Sequence, residues 1–99
     1  MYIYNITSVI NPDTHQEWLE WIRNKYIPKM ASSKYIESVR VFKVLGNPNE
    51  PTYAIHHQTE LPQQLLDFIR KEVPLLQEEC RHAFGEKVLM FGTELKEVL

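Results

Sequence analysis

Apolar residues along this 99-residue chain recur with two different periods, and the switches between them divide it into six elements. Residues 2–10, YIYNITSVI, are rich in Tyr, Ile, Thr and Val and stop at Asn11 and Pro12, which is strand composition followed by a breaker. Asp13 with Gln16 three residues on resembles a capping box and predicts a helix start. From there His15, Trp18, Leu19, Ile22 and Tyr26 fall in one arc at about 100° per residue, with Glu17, Glu20, Arg23 and Asn24 mostly outside it. Pro28 lacks an amide donor and restricts Ile27, so the helix is expected to kink or end there, Lys29 to Ser33 forming a last turn.

Strand composition returns at residues 35–46, YIESVRVFKVLG, and the turn-rich GNPNEP at 46–51 joins it as a hairpin to TYAIHHQT at 52–59. Beyond it Leu65, Leu66, Ile69, Val73, Leu76, Cys80 and Phe84 share a helical stripe whose phase survives Pro74. One kinked helix, or two with Pro74 at the first position of the second, satisfies the pattern; Gly85 is placed as its C-terminal cap. EKVLMFGTELKEVL supplies a fourth strand. The order is β-α-β-β-α-β: one α+β domain over residues 1–99, ferredoxin-like, with a four-stranded antiparallel sheet and both helices on one face.

Neither parity of the second or fourth strand is cleanly polar. Val39, Val41, Lys43 and Leu45 alternate with Ile36, Ser38, Arg40, Phe42 and Val44, and Leu89, Phe91, Thr93 and Leu95 with Val88, Met90, Gly92 and Glu94. A sheet face without helices therefore needs a cover, and an identical subunit about a two-fold axis is the simplest supplier.

Composition narrows the partners. Formal net charge is −2 with basic residues scattered among acids, which argues against nucleic acid. A lone cysteine, Cys80, cannot form an internal disulfide, and the N-terminus lacks the basic residues and apolar run of a signal peptide. No stretch approaches the length of a membrane span, so a cytoplasmic protein without membrane association is expected.

YNIT in the first strand, HQEWLEWIRNKYIPKM in the first helix, SVRVFKVL, TYAI, and RHAFGEKVLMF near the end together resemble the bacterial domain of unknown function 4286 family, in order over nearly the whole chain. The resemblance implies a dimeric α+β barrel, two ferredoxin-like units with their sheets as the wall and helices outside. Similar architecture occurs in cofactor-free monooxygenases acting on aromatic polyketides, haem-degrading enzymes, small isomerases and effector-binding domains, so the fold does not name an activity. Tyr26 stands where a histidine is common in the family, and His56–His57 where a Gln–aromatic pair is common.

Candidate chemistry follows from position. His15, Trp18 and Tyr26 share the arc of the first helix, either as core or lining a ligand cleft between that helix and the sheet. Asn5 on the first strand needs partners if buried: backbone, Arg40, or a ligand carbonyl. The ligand option has weight because haem-degrading relatives of the architecture use a first-strand Asn. Arg40 is an ion-pair residue or a clamp for a carboxylate or phosphate. His56 and His57 point to opposite faces, so the pair does not ligate one metal; His57 is expected to be a flat polar-tipped filler, though the sequence leaves open which histidine faces the helices.

No phosphate loop, HExxH, nucleophile elbow or metal-ligand spacing is present, and no cofactor or metal is expected. Asn5, His15, Trp18, Tyr26, Arg40 and His57 are thus the candidate ligand-binding residues, for a small hydrophobic or aromatic molecule carrying a carboxylate. The alternatives are a cofactor-independent monooxygenase or isomerase in which His15 or Tyr26 transfers a proton, and a purely structural dimer.

Overall fold

A computed structural model describes residues 1–46 and 49–99, so the expected hairpin loop at 46–51 lies partly outside the described residues. The strands β1 (Tyr2–Ile10), β2 (Ser38–Lys43), β3 (Thr52–Thr59) and β4 (Val88–Lys96) form one antiparallel sheet in the order β2-β3-β1-β4. The helical segments are α1 (His15–Trp21), a π-helical turn (Ile22–Tyr26), α2 (Ile27–Ala31), α3 (Pro62–Lys71) and α4 (Val73–Phe84). This is the ferredoxin-like α+β arrangement the pattern predicts.

Local chemistry differs from expectation at three places. The first helical layer starts slightly early, in a 3-10 turn (Pro12–Thr14) whose cap is Asn11 rather than Asp13, the Asn11 side-chain oxygen accepting from the Asp13 amide at 3.1 Å. The helix does not end at Pro28, which stands in the first turn of α2. Instead the Ile27 amide reaches back five residues to the Ile22 carbonyl, and this widened turn accommodates the missing Pro28 donor while turning Tyr26 inward. The second helical layer divides at Glu72, with Pro74 in the first turn of α4, and Gly85 closes it at φ 59° as expected of a cap.

Leu65, Val73, Leu76 and Cys80 of the expected stripe are buried on the two sides of that division. Leu66 leaves the expected stripe and is exposed, whereas Phe68, outside the stripe, is completely buried. Its burial is worth about 2–3 kcal/mol. The core lies between sheet and helices, with Ile6, Ile55, Trp18, Ile22 and Leu76 among its members.

Strand alternation assigns the faces. In β3 the odd residues Tyr53, Ile55, His57 and Thr59 are buried under the helices, and the even residues Thr52, Ala54, His56 and Gln58 are half-buried on the open face. Register then places Tyr4, Ile6 and Ser8 of β1 under the helices, and Ile3, Asn5, Thr7 and Val9 on the open face. Phe42, Leu89, Phe91 and Leu95 on that open face are 40–56 % exposed.

Candidate functional site

The six candidate residues separate onto two sides of the sheet. His15, Trp18, Tyr26 and His57 lie between the helices and the sheet; Asn5 and Arg40 lie on the open face. No single site gathers them.

His57 is the centre of the helix-side group and has no solvent exposure. Its Nδ1 is 2.8 Å from the Tyr4 carbonyl oxygen, which can only accept, so Nδ1 carries the proton and donates. That leaves Nε2 as acceptor, and the Tyr26 hydroxyl donates to it at 2.6 Å. Burial pushes the His57 imidazole down to about 4, the nearby His56 adding to the effect and the Tyr4 carbonyl opposing it. Burial likewise holds the Tyr26 phenol well above its ordinary value, so at neutral pH both partners are uncharged. Phe68 packs its ring 5.0 Å from the imidazole and completes the enclosure.

His15 is half-buried and shares a 2.7 Å hydrogen bond with the Tyr53 hydroxyl, whose ring stacks 4.9 Å from Trp18. Trp21 packs between Tyr26 and Phe84, at 5.5 and 5.6 Å. The space enclosed by Trp18, Tyr26, Ile55, Leu76, Cys80 and Met90 amounts to about 10 Å³. This corrects the expected ligand cleft between the first helix and the sheet. Aromatic side chains fill it, leaving room for one water at most. Cys80 is buried there with its thiol pushed up to about 11 by burial, which makes it inert packing.

On the open face Arg40, His56, Asn5 and Thr93 are register partners across all four strands and form one transverse row. Arg40 lies over the Phe42 ring at 5.6 Å, and His56 packs 4.9 Å from the same ring. Asn5 donates from Nδ2 to Thr7 Oγ1 at 3.0 Å, while its buried Oδ1 has no partner. A hydroxyl both donates and accepts, so turning the amide over would strand Nδ2 instead.

A pocket that sequence reasoning missed opens between α4 and β4. Gln77 and Arg81 from α4, Gly85 and Glu86 from the turn, and Val88, Leu89 and Met90 from β4 enclose about 330 Å³. Arg81 enters no salt bridge or cation–π contact among the described residues. The i, i+4 spacing of Gln77 and Arg81 was readable, but nothing in the chain tied that helix face to β4. Among the described residues no group of three or more His, Cys, Asp and Glu is placed to hold a metal, and no helix is long and apolar enough to cross a membrane.

Comparison with known proteins agrees with the architecture. No curated protein matches the sequence. A crystal structure of an ethyl tert-butyl ether (EthD) family protein from Bacillus halodurans C-125 superposes with a TM-score of 0.68 at 16% identity, over 99% of this chain and 100% of that one. At that identity the likeness is one of fold. The sequence model of the family described as Domain of unknown function (DUF4286) matches residues 1–98, and the chain belongs to that family.

Proposed function

We propose that this protein is a homodimeric α+β barrel that binds a small hydrophobic or aromatic carboxylate, one molecule in each pocket between α4 and β4. The observation that carries the reading is the pocket's chemistry. Val88, Leu89 and Met90 line it together with Gln77, Glu86 and Arg81, the last in no salt bridge or cation–π contact among the described residues, and its volume of about 330 Å³ suits a molecule of one or two rings. A guanidinium beside these apolar side chains selects a ligand with an apolar body and a single anionic end. Glu86 in the same lining disfavours a second acid group. Phe42, Leu89, Phe91 and Leu95, left exposed on the open sheet face, support the homodimer, since a second sheet is the natural cover for them.

Binding is favoured over catalysis because the groups suited to proton transfer are already committed. Tyr26 and His57 are buried and bonded to each other, His15 is bonded to Tyr53, and none of the three lines the pocket. A cytoplasmic setting suits the single buried thiol of Cys80.

Thermal shift against benzoate, phenylacetate and cyclohexanecarboxylate, each beside its neutral amide, tests the reading. At least one carboxylate is expected to raise Tm while its amide does not, and Arg81→Gln is expected to abolish the shift. No response to any carboxylate, or an equal response in the variant, would leave a purely structural dimer as the better account.

A further inference from the structure

The pocket between α4 and β4 holds two unpaired charges of opposite sign. Glu86 lines it together with Arg81, and among the described residues neither enters a salt bridge, with the other or with a third group. The end of α4 explains how they share one hollow. Gln77 and Arg81 stand four residues apart on that helix and so on one face. Glu86, five residues after Arg81, would fall about 140° round the helix from it if α4 continued. Gly85 prevents that: at φ 59° and ψ −132° it ends the helix, and the 3-10 turn Gly85–Lys87 brings Glu86 into the same lining before β4 begins at Val88.

Two further groups bear on what these charges can hold. Because α4 ends at Gly85, its carbonyl terminus lies at the pocket, and the carbonyl end of a helix carries partial negative charge that favours a cation. Gln77 adds an amide that both donates and accepts. A simple anion matches Arg81 but brings its charge beside Glu86 and the helix end. A simple cation matches those two and leaves the guanidinium without a counter-charge. A ligand that carries both signs on neighbouring atoms, with an apolar body beyond them, satisfies all three and the apolar lining as well.

Resting on the carboxylate reading above, we propose that the ligand is a free α-amino acid with an apolar side chain. Its carboxylate meets Arg81, its ammonium meets Glu86 and the end of α4, and its side chain lies against Val88, Leu89 and Met90. An acid without the ammonium is then a partial ligand that makes one of the two charged contacts.

Calorimetric titration at neutral pH with two matched pairs tests this: L-phenylalanine beside 3-phenylpropanoate, and L-leucine beside 4-methylpentanoate. The members of each pair differ only in the ammonium group. In at least one pair the amino acid is expected to bind about fivefold tighter, the size of a good partly exposed ion pair, and in Glu86→Gln that ratio is expected to fall to about one. Acids that bind as tightly as their amino acids, or a preference for the amino acid that survives Glu86→Gln, would overturn the zwitterion while leaving the carboxylate reading intact. Absence of binding by all four compounds would instead overturn the carboxylate reading on which it rests.

Discussion

The Tyr26–His57 bond is the residue-scale feature with the most readable consequences. His57 titrates near its ordinary value of 6.5 when unfolded and at about 4 when folded, so the unfolded chain binds the proton first. Its contribution to stability is therefore full above pH 6.5 and is lost as pH falls toward 4, by up to about 3 kcal/mol. Urea unfolding across that range should show the decline, and His57→Gln should flatten it. The pair also admits an exchange test. Tyr26→Phe leaves Nε2 without a donor and should cost about 1–3 kcal/mol, and His57→Tyr overfills an enclosed site. The double exchange Tyr26→His with His57→Tyr should be more stable than the sum of the singles, measured as a double-mutant cycle. The sequence made His57 legible as a filler but not its face, because alternation fixes which residues share a side and not which side is covered. Asn5 shows the same limit: its place on the open face comes only from its register with His56.

At the scale of elements, the periods of 2 and 3.6 located all four strands and both helical layers, and they failed where the backbone leaves those periods. The π turn before it accommodates Pro28, and Phe68, three residues after the buried Leu65 and on the same helix face, is buried while Leu66 is exposed. The π turn has no period of its own, and the stripe drawn through Pro74 took Leu66 for the edge that Phe68 occupies. The packing of β1 on β4 carries a further consequence. Gly92 is the register partner of Ile6, yet the space above it is taken by the Tyr4 side chain, with Cζ 2.6 Å from where a Cβ would sit. Gly92→Ala must displace that ring, whose neighbours are His57 and Phe68 at 6.4 and 6.2 Å. A loss of about 1–3 kcal/mol is expected, largely recovered in a Tyr4→Ala background; equal losses in both backgrounds would show that the ring is not the obstacle.

For the whole molecule, the helix layer and the open sheet face do different work. Beneath the first helix that layer is filled, with about 10 Å³ left among Trp18, Tyr26, Ile55 and Cys80, and is internally hydrogen-bonded, which gives one chain a core but no ligand space on the side where the first helix predicted it. The second leaves Phe42, Leu89, Phe91 and Leu95 exposed around a polar row, and the pocket between α4 and β4 reaches its margin at Leu89. The need for a cover was legible in the mixed parities of β2 and β4, whereas the pocket was not, because it depends on how α4 lies against an edge strand. The proposed assembly is built on two such faces meeting. Light scattering at micromolar concentration measures this directly: the account expects a particle of twice the 11.8 kDa chain mass, reduced toward one chain by Phe91→Asp. A wild-type mass of one chain would contradict it.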